Sequence, residues 1–173
     1  MPPQFRYATL ADAHRLAVFA ERAFTETFAN QNTRADMAAY CAGAFGEDIE
    51  AVHLADPARV CVLSERDGVL AAYAYVVVGS TSVDVVGEAQ AEIQRFYVDQ
   101  PWHGRGLAQQ LMAQCIAEAR ARDRRTLWLG VWERNERAIR FYERCGFRTV
   151  GSQRFMLGAD AQNDLVMSRS ISE

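Results

Sequence analysis

Apolar residues recur at helical spacing through the first third of the chain and at strand spacing through most of the rest. Phe5-Arg6-Tyr7 is a short strand candidate. Thr9 and Asp12 have the offset of a helix capping box, with Asp in place of the usual Glu. Leu16, Phe19, Ala20, Ala23, Phe24, Thr27 and Phe28 then predict a helix running to about Phe28. After the Asn30-Gln31-Asn32 loop, Thr33 and Asp36 cap a second helix through Met37, Tyr40, Cys41 and Ala44. A short helix over 47–54 is stopped by Asp56-Pro57, because proline restricts the residue before it.

The period then changes. Residues 60–63 form a short apolar run, Asp67-Gly68 is a hairpin turn, and 69–78 return as a long strand. A polar connection over 79–91, expected to be mobile, leads into a strand over 92–98. Pro101 breaks that strand, Gly104 and Gly106 turn the chain, and Leu107, Leu111, Met112, Cys115, Ile116 and Ala119 give the next helix one apolar face. Residues 126–131 are a further strand, Asn135 starts a helix over 136–144, and Gly146 ends it. Residues 147–155 and 164–170 read as two closing strands. With no repeat or linker, the pattern predicts one α/β (α+β) domain spanning 1–173. It has a mixed, mostly antiparallel sheet of about seven strands with helices on both faces.

Composition narrows the class. At 173 residues the chain is long enough to bury a core, and a formal charge of −3 argues against non-specific nucleic-acid binding. Cys41, Cys61, Cys115 and Cys145 are scattered among apolar residues, as expected of free thiols in a reducing compartment. His14, His53 and His103 lack metal-ligand spacing, so no metal is expected. The opening Met1-Pro2-Pro3 precedes no apolar leader and no stretch has membrane-spanning length, so the expected location is cytoplasmic. Arg120, Arg122, Arg124 and Arg125 crowd one helix end, where they complement its dipole; an anion site is the alternative.

The candidate chemistry centres on residues 95–111. Strand, glycine turn and helix N-terminus together make an anion site, and phosphate is its usual occupant. Taken alone, the same glycines serve equally well to tighten a loop. The second landmark is Asn135-x-x-Ala138-x-x-Phe141-Tyr142-x-x-x-Gly146-Phe147 after Trp128-Leu129-Gly130-Val131-Trp132. The two together resemble the GNAT superfamily of acetyl-CoA-dependent N-acetyltransferases. Phe24-Thr25-Glu26-Thr27-Phe28-Ala29-Asn30-Gln31-Asn32, residues 129–135 and Asp164-Leu165-Val166-Met167 look, more narrowly, like the Pai-type bacterial spermidine/spermine acetyltransferases. One departure is that Pro101 stands where the superfamily usually has Arg or Gln, and Trp102-His103 where it has an aromatic-Gln pair.

The resemblance implies acetyl-CoA as co-substrate. The backbone N–H groups of His103, Gly104, Arg105, Gly106, Leu107 and Ala108 would hold its pyrophosphate. Phe96, Tyr97 and Val98 would pair with the pantetheine arm like an added strand, while the strand over 126–131 splays away. Asn135 and Ala138 would form the other wall, although Asn135 is also a plain helix N-cap. The motif places the hydroxyl of Tyr142 beside the coenzyme sulfur as the acid for the leaving thiolate; without the motif it reads as core packing.

Direct attack needs a neutral amine. At pH 7 an alkylamine of pKa about 10.4 pays roughly 4.6 kcal/mol to lose its proton. Glu92 is the expected proton acceptor, sharing a strand face with Gln94 and Phe96 if alternation is regular; an exposed strand-end carboxylate is the alternative. Glu26, Glu47, Asp48, Asp84 and Glu88 are candidates to line a groove for a polyamine. The expected partner is a small-molecule amine, with no membrane and no nucleic acid, and a homodimer is a compatible assembly. A protein N-terminal or lysine acetyltransferase and an acyl-CoA-sensing regulatory protein are the competing functions.

Overall fold

The computed structural model describes residues 3–172, so Met1, Pro2 and the far end of the expected domain at Glu173 lie outside the described residues. The chain runs β1 (Gln4–Tyr7), α1 (Ala13–Phe28), α2 (Arg34–Ala44), α3 (Glu47–Ala55), β2 (Arg59–Arg66), β3 (Val69–Val78) and β4 (Gln90–Val98). It continues α4 (Leu107–Arg120), β5 (Thr126–Trp132), α5 (Glu136–Arg144), β6 (Arg148–Leu157) and β7 (Asp160–Ser170). The local signals act as expected. Asp12 accepts the Thr9 N–H at 2.8 Å ahead of α1, and Thr33 accepts the Asp36 N–H at 3.1 Å at the start of α2. Asp67 and Gly68 turn the β2–β3 hairpin with φ of 53° and 77°, the pair of positive angles that a two-residue primed turn requires. The closing strands form one hairpin: β7 begins at Asp160, four residues earlier than expected, because Gly158 turns tightly with φ +59°.

The seven strands form one sheet in the order β1-β2-β3-β4-β5-β7-β6, antiparallel throughout except for β4 beside β5. Alternation along each strand feeds two cores. On one face α4 buries Leu107, Leu111, Met112 and Cys115 against Val60, Val62, Ala72, Ala74 and Ile93, and Tyr142 and Phe147 join them. On the other, α1 and α2 bring Leu16, Phe19, Phe24 and Met37 onto Cys61, Leu63, Tyr73 and Tyr75. Three of the arginines at the end of α4 make structural contacts: Arg120 donates to the Ile171 carbonyl at 2.8 Å, Arg122 pairs with Glu118 at 2.6 Å and Arg124 donates to the Arg122 carbonyl at 2.8 Å.

Two irregularities shape the middle of the sheet. First, Tyr75 pairs with Arg95 and Val76 with Ile93, so Gln94 is an extra residue in β4. This bulge corrects the expected alternation. Glu92 faces away from the core that holds Ala91 and Ile93, Phe96 lies on that core's side, and the two do not share a face. Second, β4 and β5 pair only over Gln90, Ala91 and Glu92, with Glu92 opposite Trp128. Beyond that pair the strands part.

A buried ion pair holds β4 at the bulge. Glu50 of α3 is fully buried and accepts from Arg95 at 2.6 Å and from the Tyr75 hydroxyl at 2.7 Å. Arg95 also donates to the Ala44 carbonyl at 2.8 Å, tying the end of α2 to the same strand. Removing one partner leaves the other charge buried without compensation. Glu50→Ala is therefore expected to lower stability by about 3–5 kcal/mol, read from the urea midpoint at unchanged slope. Glu50→Gln, which keeps an acceptor for Arg95, should lose less.

Candidate active site

The gap between β4 and β5 opens into a cleft of about 860 Å³ that passes from the glycine turn to the opposite face of the sheet. Phe96, Tyr97, Val98, His103, Gly104, Gly106, Ala108, Asn135, Ala138, Tyr142 and Glu92 all line it. Among the expected residues, Arg105 and Leu107 do not. The Leu107 side chain is buried in the core, and the Arg105 guanidinium lies over the Trp102 ring at 5.9 Å.

At the turn, Gly104 and Gly106 adopt φ of 70° and 81°, and a Cβ at either would meet nothing within 4 Å. That open space is where a ligand can approach the backbone. The N–H groups of Gly104, Gly106, Leu107 and Ala108 have no acceptor among the described residues, and the last two form the free N-terminus of α4. His103 departs from the expectation. Its N–H donates to the Gln100 carbonyl at 3.0 Å, because Pro101 folds residues 100–102 into a helical turn, and it is not available to a phosphate. The His103 ring is also occupied, donating from Nε2 to the Val98 carbonyl at 2.7 Å. The Arg105 N–H reaches the Trp102 carbonyl only at 3.4 Å, a weak bond that a phosphate oxygen could displace.

Along the slot, the edge of β4 facing β5 has no ladder partner after Glu92, which leaves strand backbone open at Phe96 and at the Val98 N–H; the Val98 carbonyl is held by the His103 ring, and Tyr97 turns its backbone groups to β3. On the facing wall, Asn135 Oδ1 caps α5 by accepting the Ala138 N–H at 3.3 Å, leaving its amide N–H₂ free toward the cleft. The cap uses the Ala138 N–H, so Ala138 offers the slot only its small side chain. Tyr142 packs against Phe96, Phe141 and Phe147 with ring centroids 5.5–6.0 Å away. Its hydroxyl has no hydrogen-bond partner among the described residues, and burial pushes its pKa well above the ordinary tyrosine value. The group is a neutral O–H donor awaiting an acceptor.

The acceptor side holds two carboxylates. Glu92 accepts from the Ser80 hydroxyl at 2.7 Å; burial pushes its pKa up, and that hydrogen bond pulls it partly back. Asp164 of β7 was not singled out by the sequence. It pairs across the ladder with Trp132, and its Oδ2 lies 3.5 Å from where a Cβ on Gly130 would sit. No donor among the described residues reaches its carboxylate, and burial, then repulsion from Glu133, pushes its pKa up to about 6. Strand period alone could have placed it: Leu165 and Met167 face the core, so Asp164 and Val166 face the other way. Of the groove carboxylates expected from sequence, none lines the cleft: Glu26 pairs with Arg22, Glu47 with His14, Asp84 sits against Gly151, and Asp48 and Glu88 are exposed. Phe24, Phe28, Tyr40, Trp132 and Phe155 supply aromatic walls instead.

Among the described residues no cluster of His, Cys, Asp or Glu has the makeup of a metal site, and no helix is long and apolar enough to cross a membrane. A profile of the acetyltransferase (GNAT) family matches residues 17–147. An uncharacterized N-acetyltransferase of Mycobacterium tuberculosis is 31% identical over 162 residues, covering 94% of this chain and 99% of the relative. The PaiA N-acetyltransferase of Thermoplasma acidophilum, solved in complex with coenzyme A, superimposes with a TM-score of 0.80 at 14% identity, covering 98% of this chain and 99% of that one. The ribosomal-protein-S18-alanine N-acetyltransferase of Escherichia coli superimposes at 0.70 with 21% identity, over 99% and 95% of the two chains. With its sequence matched along most of its length and a cleft that fits the coenzyme, the chain belongs to the GNAT family of acetyltransferases and uses acetyl-CoA as co-substrate.

Proposed function

We propose that the protein transfers the acetyl group of acetyl-CoA to a primary amine by direct attack, with the amine entering from the sheet face opposite α4. The observation that carries this reading is the polarity of the cleft. Its two ends offer opposite chemistry: free backbone N–H groups at the glycine turn and carboxylates at the other mouth. The N–H groups of Gly104, Gly106, Leu107 and Ala108 hold the pyrophosphate, and the open edge of β4 takes the pantetheine. Tyr142 lends its proton to the sulfur as the thioester carbon–sulfur bond breaks. Tyrosine is protonated before the step, so it needs no activation. Glu92 and Asp164 make the acceptor mouth anionic, since Arg95 is offset by Glu50.

Within that reading spermidine or spermine is the first acceptor to test, supported by the negative excess at the mouth and by the sequence likeness to Pai-type enzymes. The second acceptor class is a protein N-terminus or lysine side chain. The aromatic walls formed by Phe24, Phe28, Tyr40 and Phe155 favour it, because they suit an apolar residue beside the amine.

Coenzyme A release from acetyl-CoA should be saturable with at least one member of a panel of spermidine, spermine, diamines, amino acids and short peptides. Polyamine-only release would establish the first class, and peptide-only release the second. Bound acetyl-CoA with no release across the panel would favour an acyl-CoA-sensing protein and reject the enzyme reading. In parallel, Tyr142→Phe should cut kcat about 100-fold while the Kd for acetyl-CoA stays within about two-fold. Lost affinity with preserved kcat would remove the acid role from Tyr142.

A further inference from the structure

We infer that Asp164 is the group that receives the acceptor ammonium and takes its proton, with Glu92 shaping the potential of the cleft from behind the reaction point. The inference rests on the amine-acetylation reading above and assigns its proton transfer to a residue on β7. The geometry begins with the last β4–β5 pair, Glu92 opposite Trp128. The next position of β5 on that face is Gly130, the first past the parting of the strands. A side chain there would collide with Gln153, so the glycine lets Nε2 of Gln153 and Oδ2 of Asp164 come over the strand beside the gap, 2.7 Å and 3.5 Å from where a Gly130 Cβ would be. Glu92 lies on the closed side of the same point, where strands still pair, and Ser80 occupies one of its oxygens. Among the described residues no donor reaches either oxygen of Asp164.

The surroundings suit the role. Tyr40 of α2 and Tyr97 of β4 face Asp164 across the cleft, and both are neutral phenols. Glu133, just after β5, is the one charge acting on it strongly, and it disfavours the ionised form. The other charged or titratable side chains lining the cleft include Glu92, His53, Arg95, which is neutralised by Glu50, and Arg137 and Arg144 of α5. An ammonium is therefore the natural counterion for Asp164, with Trp132 and the Tyr40 ring beside it.

The step balances as follows. The ammonium passes one proton to a carboxylate oxygen of Asp164, and the freed nitrogen lone pair bonds to the acetyl carbon. The carbon–sulfur bond breaks, and sulfur takes a proton from Tyr142. The second proton leaving nitrogen restores Tyr142, and Asp164 releases the first to water.

The test is the pH profile of kcat/KM for the best amine of the panel, in wild type, Asp164→Asn, Asp164→Glu and Glu92→Gln. Wild type should lose activity below about pH 6, following the raised Asp164 carboxyl. Asp164→Asn should fall about 100-fold and lose that acidic limb. Asp164→Glu should recover part of the rate with the limb displaced, and Glu92→Gln should keep the limb. A second reading needs no substrate. A carboxyl raised from about 3.9 in the unfolded chain disfavours the native state increasingly as pH rises from about 4 to about 6. Free Asp164→Asn should therefore be more stable than wild type above pH 6 and match it below pH 4. Unchanged rate and limb in Asp164→Asn, with both lost in Glu92→Gln, would return the proton to Glu92 and overturn the assignment. Wild-type silence across all amines would instead overturn the acetylation reading, and this assignment with it.

Discussion

Everything that makes this chain an enzyme follows from two neighbouring strands that stop pairing in the middle of a sheet. Backbone N–H and C=O groups are obligatory hydrogen-bonding groups, and a sheet that opens internally leaves a row of them without partners. The opening persists because each strand is held from its other side. β5 is paired with β7 from Thr126 to Trp132, and β4 with β3 from Ala91 to Val98. The bulge at Gln94 adds twist where the separation must grow, and Arg95 fixes the strand there through Glu50, the Ala44 carbonyl and the ring of Phe45 at 4.8 Å. On the proposed reading, the pantetheine arm would pair with the open edge of β4 like an added strand.

The same logic accounts for the unsatisfied groups around the gap. The free N–H groups at the turn, the Tyr142 hydroxyl and the Asp164 carboxylate each lack a partner that an ordinary interior would provide. They lie along one path. Elsewhere charged groups are closely matched, as in the Arg6, Asp12, Arg15 and Glu65 cluster, whose ion pairs run from 2.6 to 3.0 Å, although the buried hydroxyls of Ser64 and Tyr73 have no partner among the described residues. Unmet demand along the channel costs stability in the free protein and reserves binding energy for ligands that supply the missing partners.

The sequence made most of the scaffold legible because local rules decided it. The Thr33–Asp36 cap, the Asp67-Gly68 turn, the stripe from Leu107 to Ala119 and the Asn135 start each depend on residues a few positions apart. What it hid depends on partners far away. Nothing local to Glu92, Gln94 and Phe96 signals that the ladder to β3 gains a residue, so regular alternation put Glu92 and Phe96 on one face. His103 could be matched to a motif position, but its N–H follows the turn that Pro101 builds, which the motif does not contain. Asp164 was readable as a residue facing away from the α4 core. That it overlooks the gap depends on the sheet order β4-β5-β7 and on a glycine 34 positions earlier in the chain.

The charge arrangement gives the channel a direction. Arg137 and Arg144 line the coenzyme end without a carboxylate within 4.0 Å among the described residues, while Arg140, turned away from it, pairs with Glu136 at 2.9 Å. Helix α5 thus adds unneutralised cations beside the free N-terminus of α4, where a nucleotide's phosphates would lie. The far mouth holds the Glu92 and Asp164 carboxylates, neither ion-paired among the described residues. An anionic coenzyme and a cationic amine are therefore each attracted to one end and repelled from the other. On the proposed reading the two reactants meet beside Gly130, from opposite faces of the sheet.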